Sequence, residues 1–378
     1  RYEMLEVVRQ YASERLHAVP EDAERLQDHH AEYFLALLAS QESRLKGADQ
    51  RAAIAALALD EANIAAAWAH AAARKMLPEL GHAAMGLFLF CDMTSRFLLG
   101  RELFRLAAGA AEGKKPETVR RGVYFSVLEA WFAGFVDMPA AKDLFVSTLE
   151  RGARLPLDRD LAFAWTLAAF ERRRLDMDSY PQQREALAYF DEHGHAWEAG
   201  AACEALTASD IELPEALALA RRSSAIRRRI GDGWGVAMSL CSEGFLLEAM
   251  GDLEDAARKL EKSADLRREL GLDPAGLAAS CVALGRIEVK LGRTADARRN
   301  LEEAVSVGSR VGYVLVSAVA LRDLALLETK AGHPEIAREH AQGAVQAFLA
   351  AGLPGEAAEM GRALEGAAES PRKRRSSR

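Results

Sequence analysis

The sequence predicts an all-α chain, folded as a right-handed α-solenoid of antiparallel helix pairs. Two glycine series and one alanine series carry that prediction. Gly231, Gly271, Gly312 and Gly352 recur at intervals of 40, 41 and 40 residues. Gly251, Gly292 and Gly332 repeat the spacing within each unit, and each is followed five residues later by Ala256, Ala297 or Ala337. Self-similarity at this period marks stacked supersecondary units.

One unit shows the physics. From Trp234 to Met250 the apolar residues Val236, Met238, Leu240, Phe245, Leu246 and Leu247 fit a helix with one broad apolar side. Gly251 ends it, because glycine enters the left-handed region without a Cβ penalty. Asp252 is placed to cap the next helix, whose inward face reads Leu253, Ala256, Leu260, Ala264 and Leu266. The alanines are small where two helices must approach closely. Asp273-Pro274 restarts the pattern, with Asp as the cap and Pro at the first helical position. A single hairpin cannot bury both its faces, so neighbours must stack.

These residues resemble the tetratricopeptide-repeat (TPR) pattern. Leu284-Gly285 is followed by Gly292, Ala297, Leu301 and Ala304; Gly244 by Gly251, Ala256 and Leu260; Leu324-Ala325 by Gly332, Ala337 and Ala344. The common repeat is about 34 residues, so a unit of about 40 implies longer second helices.

Composition bounds the remainder. At 378 residues the chain exceeds one ordinary core, and half of it is apolar while 28% is charged. A net charge of −7 argues against a nucleic-acid-binding body. Cys91, Cys203, Cys241 and Cys281 lie far apart without a CxxC, as expected of buried reduced thiols in a cytoplasmic protein. No apolar run approaches membrane-spanning length and no signal peptide opens the chain, so no membrane partner is expected. The missing initiator Met points to a piece of a longer polypeptide.

Residues 1–75 carry a second resemblance. Arg1-Tyr2-Glu3-Met4-Leu5-Glu6-Val7-Val8-Arg9-Gln10-Tyr11-Ala12 with Arg15-Leu16 comes first, then His30-Ala31-Glu32-Tyr33-Phe34, then Asp60-Glu61-Ala62-Asn63-Ile64 through Trp68. The three blocks together resemble the segment after the winged helix in bacterial STAND/NB-ARC-type signalling ATPases of the LuxR-like transcriptional regulator family. The resemblance implies a nucleotide-binding module and winged helix upstream, with TPR units following. From the residues alone, Leu5, Val8, Ala12 and Leu16 form one helical stripe. Val19-Pro20-Glu21-Asp22 opens a second helix that buries Tyr33, Phe34, Leu37 and Leu38, and Gly47-Ala48-Asp49 precedes a third, ending near Arg74. Residues 1–4 read either as helix or as a remnant strand of the winged helix.

The expected divisions are a linker over 1–75, degenerate repeats over 76–195, TPR-like repeats over 196–353, a capping helix over 354–369 and a disordered basic tail over 370–378. Within the degenerate part, Phe97, Leu98, Leu99, Gly100 and Glu102 precede a helix through Leu106, and Val123 to Phe135 is an aromatic-rich helix. Met138-Pro139-Ala140 opens its partner, with Ala141 and Phe145 in small-then-large positions. Leu161 to Arg174 and Pro181 to Glu192 form a further pair, where Ala186 and Phe190 repeat the theme. The aromatics read as core. The tail's five basic residues, Arg372, Lys373, Arg374, Arg375 and Arg378, read as a solubilising terminus or as a contact for nucleic acid or an acidic surface.

Catalytic chemistry is not apparent, and no enzyme activity and no cofactor are expected in this chain. Gly113-Lys114-Lys115 lacks the rest of a phosphate-binding loop. His29-His30 and His193-Gly194-His195 lack a clustered third metal ligand, so no metal site is expected. Glu254, Asp255, Glu302 and Glu303 lie among arginines and read as solvated i,i+4 partners. What remains is a binding surface on the first helix of each pair. The repeat register places Met238, Phe245, Glu248, Arg286, Lys290, Arg322 and Lys330 in a concave groove, where the four cations suit a carboxylate or an acidic peptide. Internal neutralisation would fall to Glu248, Glu288 or Glu328. The expected partner is a protein, a peptide or a small inducer, besides the nucleotide-binding module; a free-standing TPR scaffold is the alternative.

Overall fold

In the computed structural model the described residues are 6–17, 20–172, 177 and 181–362, and among them no strand occurs. The chain runs as α1 (Glu6–His17), α2 (Pro20–Leu45), α3 (Gln50–Ala58), α4 (Glu61–Ala73), α5 (Leu77–Met93) and α6 (Phe97–Ala110). It continues through α7 (Pro116–Ala133), α8 (Met138–Gly152), α9 (Arg159–Glu171), α10 (Gln182–Glu192), α11 (Ala196–Leu206) and α12 (Leu213–Ile230). The last six are α13 (Gly233–Ala249), α14 (Leu253–Leu270), α15 (Pro274–Lys290), α16 (Thr294–Val311), α17 (Val314–Ala331) and α18 (Pro334–Ala350). Residues 354–362 are helical as well.

Two rows of helices result. Helices α2, α5, α7, α9, α11, α13, α15 and α17 pack successively on one another, whereas α6, α8, α10, α12, α14, α16 and α18 touch mainly their hairpin neighbours. The first row is therefore the inner, concave one. Its members are buried on nearly every side: α5 buries twelve residues, from Leu80 to Met93, and α11 all but the first of its eleven. The outer helices are amphipathic, α14 burying a stripe of Ala256, Ala257, Leu260, Ser263, Ala264 and Arg267.

The glycine register lies where the sequence placed it. Gly231, Gly251, Gly271, Gly292, Gly312, Gly332 and Gly352 all have positive φ, closing one helix after another. Asp252 and Asp273 cap α14 and α15 by accepting from Asp255 N and Gly276 N. Ala256, Ala297 and Ala337 are buried. The closest approach is at their partners in the first helix: a Cβ on Gly244 would lie 2.6 Å from Leu260 Cγ, and one on Gly285 2.8 Å from Leu301 Cγ.

Several expectations change. The third helix is two, because the chain turns at Leu59-Asp60 and α3 meets α4 at 74°. Tyr33 is exposed; the buried face of α2 is Ala31, Leu35, Leu38 and Leu45, with Phe34 and Leu37 partly covered. On α1, Val8 and Ala12 are exposed, so the expected stripe is not a buried seam. Phe97 to Glu102 belong to α6 rather than preceding it, and α7 begins earlier than expected, at Pro116. Residues 1–4, Leu5, Arg174, the end of the capping segment and the basic tail lie outside the described residues.

Successive turns of the superhelix also touch. Gln50 Nε2 donates to Asp232 Oδ1 at 2.7 Å while its Oε1 accepts from Trp234 N at 3.1 Å. Asp273 N donates to Met93 O at 2.7 Å, and Ala275 N to Ser95 Oγ at 3.2 Å. The Tyr313 ring lies 6.1 Å from Phe97 and 5.2 Å from Phe135. Loops from the last hairpins thus seat on loops from the first. The largest core cluster accordingly runs from Ala31 on α2 to Trp197, Trp234, Leu272 and Ala275.

Candidate functional site

The inner row sets the chemistry of the concave side. In its first part the aromatics Phe88, Trp131, Phe163, Trp197 and Trp234, with Met238, meet in a narrow cleft with room for about one water molecule. Trp197 and Trp234 stack with ring centroids 6.4 Å apart, and Arg227 lies over the Trp197 face. Asp92 enters this cleft and accepts a hydrogen bond from Trp131 Nε1 at 2.9 Å. Burial pushes its carboxyl up to about 7, the Trp131 bond opposing that only in part.

The residues predicted to line the groove divide between this cleft and the last three inner helices. Met238 packs half-buried against the aromatic core. Phe245 is 46% exposed on α13. Lys290 Nζ of α15 donates to Glu248 Oε1 of α13 at 2.7 Å. Arg286 of α15 donates through Nε to Asp323 of α17, and Arg322 contacts the other oxygen of Asp323 at 3.0 Å through Nη2. Lys330 is exposed in the last turn of α17. Arg286 and Arg322 therefore meet despite their separation in sequence.

Of the carboxylates expected to neutralise them, only Glu248 does so. Glu288 accepts from Asn300 at 2.8 Å, and Glu328 pairs with Arg298 and His333, each at 2.6 Å. Asp323 takes their place; its position one residue after Arg322 was the available signal. Two guanidinium groups share this one carboxylate, which is largely covered while the arginines are about 35–40% exposed. Exposed Leu326 lies one turn further along α17. The strip thus offers two apolar side chains, Phe245 and Leu326, around a cationic cluster with a charge to spare.

Other charges organise the stack itself. Glu254 pairs with Arg293 at 2.8 Å and Glu303 with Arg268 at 2.7 Å, so these carboxylates bridge hairpins instead of making i,i+4 pairs. Arg227 pairs with Asp232, and Arg267 with Asp273 at 2.8 Å, all four buried at the junction of one hairpin with the next. His193 stacks on Tyr189 at 4.1 Å and lies 6.3 Å from His195.

Together the rows of helices, their glycine closures and their small-residue contacts define a TPR-like helical-repeat solenoid. No family model matches the chain, and no curated protein matches it. Among solved structures, a Rap protein complexed with Competence and Sporulation Factor matches at 10% identity with a TM-score of 0.54, over 90% of this chain and 98% of that one. A signal transduction ATPase with numerous domains (STAND) protein with a tetratricopeptide repeat sensor, from Pyrococcus horikoshii, matches at 16% identity with a TM-score of 0.47, over 74% of this chain and 44% of that one. Aspartyl phosphate phosphatase F from Bacillus subtilis matches at 12% identity with a TM-score of 0.44, over 89% and 93%. At these identities the likeness is one of fold.

Proposed function

We propose that this chain is the sensing and scaffolding region of a bacterial ATP-dependent signalling or transcriptional regulator of the STAND/NB-ARC type with LuxR-like kin. It recognises a protein, a peptide or a small inducer through the concave strip on α13, α15 and α17. The observation that carries the recognition step is the sharing of Asp323 by Arg286 and Arg322. One carboxylate cannot neutralise two guanidinium groups, and the planar edges they leave free suit a partner's carboxylate. Phe245 and Leu326 supply apolar contact on either side. The three residue blocks before Trp68 support the ATPase parentage, and on this reading the chain holds no cofactor, performs no catalysis and works in the cytoplasm. Occupancy would act by favouring one arrangement of the stack against the nucleotide-binding module, to the extent that the partner binds the two arrangements unequally.

A free-standing scaffold is the second reading. It is favoured by the match to the Rap protein, which extends over 98% of that chain and leaves little of it for a further domain.

The test is fluorescence anisotropy with a labelled peptide that alternates Asp or Glu with Leu, beside a Lys-for-Asp/Glu control. Arg286→Gln with Arg322→Gln should weaken the acidic peptide by about tenfold or more, equivalent to about 1.4 kcal/mol. The fold should persist, since exposed ion pairs contribute only about 0.2–1 kcal/mol each. Unchanged affinity in the well-folded double variant would remove the strip from consideration.

A further inference from the structure

We propose that a second site, the cleft at the starts of α5, α7 and α9, binds a small phosphorylated ligand. The cleft has a volume of about 510 Å³, within the range of small-molecule sites. Its lining ends at Asp160, far in sequence from the Asp323 cluster, so the two sites share no residue.

Its walls carry four cations, Lys75, Lys115, Arg120 and Arg121, against three carboxylates. Two of those carboxylates are already engaged. Arg121 donates to Asp160, and Arg120 Nε lies 3.1 Å from Asp158 Oδ2. Arg120 and Arg121 are thus each held by a carboxylate of the α9 start, which fixes them in the wall of the cleft. Lys75 and Lys115 are exposed and, among the described residues, have no carboxylate within ion-pair distance, which leaves Glu117 of the lining to offset them. Contrast Arg96 and Arg293, which also precede helices and are each held by a glutamate, Glu61 and Glu254.

The wall is also shaped for a ligand. A Cβ on Gly81 would fall 2.5 Å from Arg121 Cζ, so glycine there lets the guanidinium lie against α5. The Arg121–Asp160 pair stands between this cleft and an adjoining one of about 360 Å³, to which Glu42, His82 and Tyr124 present polar groups. A phosphate brings about 1.5 to 2 negative charges and three acceptor oxygens. That matches the two exposed ammonium groups of Lys75 and Lys115 better than a single carboxylate does. The adjoining cleft then faces the hydroxyl-bearing remainder of the molecule.

Isothermal titration of the whole chain at fixed ionic strength tests this, with inorganic phosphate, ribose 5-phosphate and citrate as probes. Both phosphates should bind saturably and more tightly than citrate. Lys75→Gln with Lys115→Gln should weaken them about tenfold, as expected for loss of charge-assisted contacts, with no change in melting temperature because both side chains are exposed. Glu117→Gln should strengthen binding. Arg286→Gln with Arg322→Gln, which disables the concave strip, should leave it unchanged. The proposal is overturned by absence of saturable binding, by citrate binding as tightly, by indifference to the lysine pair, or by loss of binding in the arginine pair variant.

Discussion

At the scale of single residues, two buried carboxyl groups give the stability of this chain opposite responses to pH. Asp92 is held among aromatics, where burial pushes its carboxyl up to about 7. The folded chain therefore keeps a proton that the unfolded chain releases near pH 4, and stability falls as pH rises from about 4 to about 7. For Glu198 burial also disfavours the charge, but Lys46 and Arg159 outweigh it and bring the carboxyl down to about 2. Its contribution is present above the unfolded value and is lost as pH falls toward 2. Asp92→Asn keeps an acceptor for Trp131 and removes the first effect. The variant should match the parent near pH 4 and be more stable at pH 8, by roughly 2–4 kcal/mol; thermal melts across that range measure it. A parent and variant with parallel curves would show that Asp92 is not the group responsible. The apolar run from Ala83 to Cys91 and Met93 marks Asp92 as sitting on a buried helix, but its partner Trp131 is 39 residues away on α7 and cannot be read from that run.

At the scale of helices, the repeat was legible because its signals are backbone requirements. A positive φ demands glycine and a close crossing demands a small residue, so both leave a mark at fixed spacing. Ala297 is fully buried, and its carbonyl oxygen would lie 3.3 Å from a Cβ on Gly285. Ala297→Leu should therefore destabilise by about 1–3 kcal/mol, the usual cost of overpacking, seen as a lower denaturation midpoint with an unchanged slope. An unchanged midpoint would mean that α15 and α16 do not cross there. What stayed hidden is the polar seam between hairpins. Arg227 lies in a run of three arginines that reads as a solvated helix end, yet it is buried against Asp232 with Ser223 and Ser239 beside it. Arg267, Asp273, Ser263 and Ser280 repeat the arrangement. In the third unit the matching positions are Gly308, Tyr313, Ala304 and Ala320, so the buried ion pair is replaced by the small hydroxyl of Ser317 beside Gly308, and Tyr313 reaches Phe97 and Phe135. Such pairing depends on which hairpin follows, and a helix read by itself cannot reveal it. The groove was legible to the same degree: its register brought Arg286 and Arg322 together, but the shared Asp323 was missed because it sits on the same helix as one of them.

At the scale of the molecule, a solenoid in which each unit touches only its neighbours should lose structure progressively from its ends. This chain departs from that scheme, because its later loops rest on its earlier ones. Ser95 and Asp273 are non-glycine residues with φ of 55° and 53°, a conformation that costs roughly 1–2 kcal/mol per residue. Both sit where two turns of the superhelix meet, and the bonds from Asp273 N to Met93 O and from Ala275 N to Ser95 Oγ hold them there. Gln50 ties the α2–α3 loop to Asp232 and Trp234 in the same way, and Tyr313 packs on the Phe97–Phe135 stack. These contacts couple units about 180 to 220 residues apart, so the two halves should unfold together. Calorimetry of the parent chain is accordingly expected to show one transition, with the calorimetric and van't Hoff enthalpies in agreement. Gln50→Ala with Tyr313→Ala removes two of the three ties; because the Tyr313 ring also packs on the core between α14 and α17, Tyr313→Ala alone is the control for that local loss. In the double variant the last hairpins should melt first, as a separate transition at lower temperature, and amide exchange in α15 to α18 should quicken while α5 to α9 keep their protection. A single transition merely shifted downward would mean that coupling runs along the stack from neighbour to neighbour and does not depend on the contacts between its turns.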